Sequence, residues 1–173
     1  MKLSPPRRNS SSAKPILFAL AVALATWTVD AAAVTCTLST AGLAFGTYDV
    51  FAAGATNSNA TLNISCSLDP SDQGAQKLVP YVVSLSTGSS GSFVQRTMKS
   101  GSDALQYNVY TSNSYSVVWG DGTGSTGTQS GSAVLNNGHP TVTNNFTAYG
   151  RIPALQDVAV GDYRDSITAT ITW

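Results

Sequence analysis

The sequence predicts an all-β protein, a two-sheet sandwich of immunoglobulin-like type. Charged residues make up only 10% of the 173 residues and Glu is absent, so Ser, Thr, Asn and Gly supply the polarity. Short runs of Val, Ile, Tyr and Thr favour strands, whereas helices usually draw on Glu, Lys, Leu and Ala. These runs are separated by Gly-rich turns, as in a sandwich, and the length suits one domain.

Apolar and polar residues alternate in four segments, which predicts half-buried strands. Their apolar faces are Leu62, Ile64, Cys66 and Leu68; Val79, Tyr81, Val83 and Leu85; Leu105, Tyr107 and Val109; and Ile167, Ala169, Ile171 and Trp173. We interpret residues 34–39 and 43–48 as one interrupted edge strand. Weaker candidates are residues 93–99, 115–119 and 145–152. The stretch 120–145 is interpreted as one long loop or a loose hairpin, and no helix is predicted.

Residues 1–33 have the layout of a secretory signal peptide, which leaves residues 34–173 as the sandwich domain. Four basic side chains precede the apolar run Ile16 to Trp27, and small residues follow it at Ala31 to Ala33. The run is shorter than the roughly 20 residues that a membrane-spanning helix needs, so we expect no membrane insertion after signal removal; a retained anchor is the alternative. Cleavage is expected after Ala33, with Ala25 as the alternative site.

The predicted mature domain carries five basic and eight acidic side chains, for a formal charge of −3. It has no cluster of Lys and Arg that could attract phosphate groups. We therefore expect no nucleic-acid partner and no binding to anionic lipid.

Cys36 and Cys66 are the only cysteines, and both lie in the predicted exported part. An even pair in a secreted chain most often forms a disulfide. The alternative, a metal site, would need further ligands, and the chain has a single histidine, His139.

A glycine-rich stretch, SVVWGDGTGSTG, contains the spacing GxGxxG at Gly122, Gly124 and Gly127. A dinucleotide site needs a helix that begins at these glycines and an acidic residue about 20 positions further on, and neither is present. A Walker loop needs a lysine, but none follows the glycines. A calcium loop needs several oxygen ligands at short spacing, and Asp121 stands alone. We interpret the stretch as a glycine turn between two strands, and we expect no cofactor.

Catalytic patterns are also missing from the sequence. His139 is the only imidazole base, and no serine lies in a GxSxG elbow. Asp162 and Asp165 could formally act as a carboxylate pair, but acidic residues beside a strand are interpreted here as turn or surface residues. The sequence therefore predicts no catalytic, cofactor or metal site, and a protein that is not an enzyme.

Four longer segments are more informative than these short motifs. They are CTLSTAGLAFGTYD, LVPYVVSLSTGSSGSFVQRTMKSG, LQYNVYTSNSYSVVWGDGTGSTG and YGRIPALQDVAVGDYRDSITATITW. In this order they resemble the spore coat protein U domain, which is shared with secreted pilus subunits of the archaic chaperone–usher pathway. The resemblance covers essentially all of the predicted mature domain. Cys36 and Cys66 match the disulfide of this family, and its closing motif is matched by Gly150, Arg151, Pro153, Gly161, Tyr163 and Asp165, which we interpret as turn and packing residues.

The resemblance implies an incomplete immunoglobulin-like sandwich that lacks its last strand. A periplasmic chaperone would fill the resulting groove with one of its own strands, and a neighbouring subunit would later replace it. The implied partners are that chaperone, an outer-membrane usher and other pilus or coat subunits, and the implied location is the cell surface, reached through the periplasm. The groove is expected to involve Leu38, Leu43, Phe45, Ile167, Ala169, Ile171 and Trp173; the alternative is that these side chains fill an intact core.

Cleavage after Ala33 would leave only two residues before Cys36. Such a subunit would accept a donor strand without supplying one, as expected for a terminal or tip-like component; the alternative is a coat protein that does not polymerise by this route. Cleavage after Ala25 would instead leave Trp27, Val29, Ala31 and Ala33 alternating like a short donor strand. A second hypothesis is a self-contained secreted sandwich that binds carbohydrate or another surface ligand through aromatic residues such as Tyr115 and Trp119.

Overall fold

The computed structural model of the chain describes residues 34–72, 74 and 76–173. The predicted signal peptide, residues 1–33, lies outside these described residues. The strands are β1 (Val34–Thr40), β2 (Thr56–Leu68), β3 (Lys77–Leu85), β4 (Arg96–Ser100), β5 (Asp103–Tyr110), β6 (Gln129–Leu135), β7 (Thr141–Ile152) and β8 (Ala169–Thr172), and a single 3-10 turn spans Gly88–Ser90. Within the described ranges, no helix is long and apolar enough to cross a bilayer.

The strands form two antiparallel sheets. One sheet has the order β1-β2-β7-β5-β4 and the other has the order β6-β3-β8. Side chains from the facing sides of both sheets form a single core cluster. The predicted all-β, immunoglobulin-like sandwich is therefore confirmed.

The alternating patterns placed the core side chains correctly. The predicted apolar faces of β2, β3 and β5 are buried, except that Leu68 is half-buried. In the fourth, Ile167, Ala169 and Ile171 are half-buried, while the intervening threonines are exposed. Burying these faces supplies the main driving force for folding, because each large apolar side chain removed from water contributes roughly 1.5–3 kcal/mol.

Four predictions of local structure were wrong. Residues 43–48 form no strand, because Gly42 and Gly46 adopt φ angles of 83° and 73° and bend the chain out of a regular ladder. Residues 115–119 make only isolated bridges. The supposed loop 120–145 contains β6 and the start of β7, which pairs with β2 along its whole length. Residues 163–168 precede β8 instead of belonging to it.

A buried cation joins the two sheets near β8. Arg96 is 0% exposed, and its guanidinium donates to the carbonyl oxygens of Ser86 and Trp119 and to Oδ1 of Asn108, at 2.7–3.1 Å. Burial lowers the pKa of Arg96. Since the amide of Ser86 donates to the carbonyl of Thr168, this cluster supports the segment that leads into β8.

Candidate functional site

Two strands border the open side of the sandwich. β1 pairs only with β2, and β8 pairs only with β3, so each is the edge of its sheet. The two edges lie beside each other across the core. Edge strands present unpaired amide and carbonyl groups that can take another strand.

Alternation of the backbone identifies which groups on β8 are free. In an antiparallel pair, the N–H and C=O groups of one residue point to the same neighbour and those of the next residue point away. The Ser86 amide donates to the Thr168 carbonyl (2.9 Å), so the even-numbered residues of β8 face β3. The backbone groups of Ala169 and Ile171 therefore face away from the sheet.

The same alternation identifies the free backbone groups of β1. The Leu68 amide donates to the Pro140 carbonyl (2.9 Å), so the even-numbered residues of β2 face β7 and the odd-numbered ones face β1. Thr35 lies opposite Ser67 in the register, which leaves the backbone groups of Val34, Cys36 and Leu38 facing outward.

An apolar groove of about 830 Å³ lies between the segment after β1 and the segment before β8. The first wall includes Leu43 and Phe45, the second includes Val158 and Tyr163, and the floor includes Leu105 and Ile152. Asp49, Asp162 and Arg164 also line the cavity. Neither wall is part of a strand, so both walls leave backbone groups outside the ladders of the two sheets.

Gly150 leaves room for the first wall of this groove. A Cβ atom there would clash with the side chains of Leu43 and Phe45, which lie over β7. Phe45 also packs edge-on against Tyr107, with ring centroids 5.8 Å apart. Gly150 therefore lets the first wall lie close to the sheet and keeps the groove open.

Polar contacts hold both walls in place. The Tyr107 hydroxyl donates to Oδ2 of Asp165 (2.6 Å), whose Oδ1 accepts from the amides of Ser89 and Ser166. On the first wall, the Tyr48 hydroxyl donates to the Pro153 carbonyl (2.9 Å). The second wall is also tied to β4, because the amides of Arg164 and Lys99 each donate to the other's carbonyl at 2.8–3.0 Å.

The same contacts shift two pKa values. Partial burial alone would raise the pKa of Asp165, but the hydrogen bonds from Tyr107, Ser89 and Ser166 outweigh it and the pKa is lowered. Burial, together with the hydrogen bond to Asp165, raises the pKa of Tyr107. The Asp165 carboxylate and the neutral Tyr107 hydroxyl are thus the stable forms at neutral pH.

The structure brings the predicted groove residues to the same side of the molecule, in three different settings. Leu43 and Phe45 line the groove. Leu38, Ile167, Ala169 and Ile171 are half-buried and pack against the core, beyond the open part of the groove. Trp173 is 53% exposed, and its indole Nε1–H donates to the Val34 carbonyl (3.2 Å).

Sequence reasoning missed most of the opposite wall and the floor. Val158 and Tyr163 lie in a connection without alternation, and Met98 and Leu105 come from β4 and β5. The available signals for the wall were the pair of valines, Val158 and Val160, and the place of Tyr163 in the closing motif of the family. Val160 and Phe51 are exposed at the groove.

The other candidate residues have structural roles. Cys36 and Cys66 are register partners and form the predicted disulfide. Trp119, a residue of the ligand-binding hypothesis, is 0% exposed and donates to the Val83 carbonyl, so it is a core residue that no surface ligand can reach. Tyr115 packs against Tyr110 and carries the guanidinium of Arg151 over its ring.

The glycine stretch is a turn, as predicted. Gly120 and Gly127 pair through their backbones, and Oδ1 of Asp121 accepts from the amide and hydroxyl of Thr123 inside the turn. His139 lies in the exposed connection between β6 and β7. Among the residues whose structure is described, no three His, Cys, Asp or Glu side chains cluster in a way that could hold a metal ion.

Comparisons with known proteins agree with this architecture. Among solved structures, the chain is similar to a chain of the CsuC-CsuE chaperone-tip adhesion subunit pre-assembly complex from archaic chaperone-usher Csu pili of Acinetobacter baumannii. The TM-score is 0.53 and the identity is 23%; the match covers 82% of this chain but only 40% of that chain, so it supports the fold. No curated protein matches the chain.

The family comparison is more extensive. The profile of the Spore Coat Protein U domain matches residues 21–170, a range that begins inside the predicted signal peptide and ends within β8. This range includes the disulfide, both walls of the groove and nearly all of the sandwich. The chain belongs to the Spore Coat Protein U domain family.

Proposed function

We propose that the chain is an exported structural subunit of a surface pilus or coat, assembled by the addition of a strand from a partner. Two adjoining features carry this proposal: the free backbone edges of β1 and β8, and the groove between residues 43–51 and 158–164, which is lined by half-buried apolar side chains. Strand addition uses both features: main-chain hydrogen bonds provide affinity, and alternate side chains that enter pockets provide register.

The first partner is a periplasmic chaperone, and the later partner is another subunit. The similar solved structure is a pre-assembly complex of a chaperone with a tip adhesion subunit, which supports a chaperone as the first occupant. An usher in the outer membrane would then exchange the chaperone's strand for that of a neighbouring subunit. The predicted signal peptide provides the route to the periplasm and from there to the cell surface.

The position of the subunit in the fibre depends on where the signal peptide is cut. Cleavage after Ala33 gives a terminal or tip-like subunit that accepts a strand only. Cleavage after Ala25 gives a subunit that can also supply one, through Trp27, Val29, Ala31 and Ala33. Sequencing the N-terminus of the exported protein separates the two forms, because a start at Thr26 contradicts the terminal position.

Co-production with the host's periplasmic chaperone tests the proposed function. We expect the wild-type chain to form a stable complex with the chaperone in the periplasm, and to be recovered in lower yield when the chaperone is absent. Ile171→Asp places a charge on the half-buried face of β8 and should abolish the complex. Thr170→Asp is the matched control, because Thr170 is the adjacent residue on the exposed face.

Two outcomes would contradict the proposal. One is a folded wild-type monomer that is stable without the chaperone and does not bind it. The other is an equal loss of the complex in both variants, which would show that β8 tolerates no charge on either face and that the groove is not the specific contact.

A further inference from the structure

We propose that Trp173 is a latch that joins the free edges of β1 and β8 while no strand lies between them, and that an added strand must displace it. The inference rests on the proposed function and concerns how that same groove is regulated. It starts from one contact, the hydrogen bond from the indole Nε1–H of Trp173 to the Val34 carbonyl at 3.2 Å.

This hydrogen bond joins the two free edges of the sandwich. Trp173 follows β8 directly, and Val34 is the first residue of β1. The Val34 carbonyl faces away from β2, so it belongs to the row of acceptors that a strand added along β1 would use. Among the described residues, no other hydrogen bond connects β1 with β8 or with Trp173.

The hydrogen bond lies at the Val34 end of the space between the two edges. There the indole spans the space and occupies an acceptor of β1. The cavity of about 830 Å³ lies further along, between the walls around Phe45 and Val158, where the Tyr48 hydroxyl donates to the Pro153 carbonyl and accepts from the Gln156 amide. A strand added along β1 therefore reaches the Val34 carbonyl only after the indole has left.

Trp173 is suited to such a movement. Its side chain is 53% exposed, whereas the other tryptophan of the described chain, Trp119, is fully buried. The hydrogen bond to Val34 is between neutral groups, and breaking one such bond changes an equilibrium by about two- to tenfold. The latch is therefore strong enough to slow strand entry and weak enough to be released by a partner.

The kinetics of peptide binding test the proposal. The probe is a synthetic peptide of residues 26–35 with Trp27 replaced by Phe, added to the exported chain and to its variants. Trp173→Phe keeps an aromatic ring but removes the N–H donor, and it should speed association about two- to tenfold while leaving dissociation nearly unchanged. Val94→Ala is the control: Val94 is 90% exposed and does not line the groove, so its truncation should not speed association.

Exchange of the Trp173 indole proton gives a second measurement that needs no ligand. In the empty chain this proton should exchange with solvent more slowly than that of a free tryptophan side chain, and bound peptide should abolish the difference. Free exchange in the empty chain would overturn the latch. So would slower association or faster dissociation of the peptide from Trp173→Phe, because that result would make Trp173 part of the surface that the partner recognises.

The outcomes also separate the latch from the proposed function. If the wild-type chain binds neither the peptide nor the chaperone, the proposed function fails. If it binds them and Trp173→Phe leaves association unchanged, only the latch is wrong. If neither the wild-type chain nor Trp173→Phe binds the peptide but both bind the chaperone, the exchange of the Trp173 indole proton alone tests the latch.

Discussion

Trp119 and Trp173 make the same type of hydrogen bond in opposite surroundings. Trp119 donates to the Val83 carbonyl at 3.0 Å and is completely buried between the sheets, where Phe146 packs edge-on against its ring. Trp173 donates to the Val34 carbonyl at 3.2 Å and is 53% exposed. We call the packed core around Trp119 the finished side of the sandwich, and the region between the edge strands β1 and β8 the open side.

The finished side satisfies its polar groups internally. The Arg96 guanidinium has carbonyl and amide acceptors, and no buried side-chain nitrogen or oxygen of the described residues lacks a hydrogen-bond partner. The open side has apolar walls and two edge strands, β1 and β8, which the indole of Trp173 joins through its hydrogen bond to Val34. We infer that stability comes mainly from the first side and partner binding from the second.

Replacing each tryptophan by alanine is the strongest test of this division. Trp119→Ala removes a fully buried aromatic side chain and should lower the free energy of unfolding by about 3–5 kcal/mol. Trp173→Ala, the matched variant on the open side, should cost less than about 1 kcal/mol. Urea unfolding measures both, and similar losses in the two variants would contradict the division.

The disulfide should have the next largest effect. It closes a loop with a sequence separation of 30 and ties β1 to its single neighbour, β2. In the chain-entropy model, replacing both cysteines by alanine costs about 3–4 kcal/mol. In the variant without the disulfide, the rate of amide hydrogen exchange should increase most in β1, next to the groove. An unchanged unfolding midpoint in urea would show that β1 is held by its ladder alone.

Gly150→Ala should affect both the stability of the sandwich and the binding of a partner. The added methyl group pushes Leu43 and Phe45 away from β7 and into the groove, and overpacking of this kind costs about 1–3 kcal/mol. Chaperone binding should weaken as well, because the groove becomes narrower. Gly54→Ala is the control, since a Cβ atom at Gly54 meets no neighbour within 4 Å. Equal chaperone binding by both variants would contradict the role of Gly150.

The smallest effect should depend on pH. The pKa of Asp165 is lower in the folded chain than in the unfolded chain, so its contribution to stability is fully present above about pH 4 and is lost as the pH falls through the folded pKa. Asp165→Asn should therefore be less stable than wild type at pH 7, with a difference that shrinks below about pH 4. Urea unfolding at both pH values measures this difference. Asp162→Asn is the control, because Asp162 is exposed and lies 3.9 Å from Arg164; a difference independent of pH would contradict the role of the Asp165 carboxylate.

The sequence was sufficient for the parts of the fold that follow a local pattern. Alternation in β2, β3 and β5 predicted their buried faces, because the two sides of a strand meet different environments. The resemblance to the Spore Coat Protein U domain supplied the fold family. It also pointed to the Cys36–Cys66 disulfide, which the even number of cysteines had already favoured. Leu43 and Phe45, which the sequence analysis placed in a donor-strand groove, line the cavity beside the edge strands, although the strand predicted around them does not form.

The remaining features depend on contacts between distant residues. Arg96 is charged and lies in a weakly patterned segment, so nothing local indicated that its guanidinium is buried against Ser86 and Trp119. Val158 and Tyr163 become a groove wall because that segment is held by the contact of Asp165 with Tyr107 and by the backbone pair of Arg164 with Lys99. The register of β7 along β2, which converts a supposed loop into sheet, is likewise a property of the paired strands.

Amide hydrogen exchange at single residues tests the central claim most directly. The exported chain would be measured alone and after binding the chaperone. Our account predicts new protection at the outward-facing amides of β8, Ala169 and Ile171, and of β1, Cys36 and Leu38, with no change at Thr170 and Thr172, which already face β3. Binding that leaves the outward-facing amides unprotected would show that the partner does not add a strand between β1 and β8.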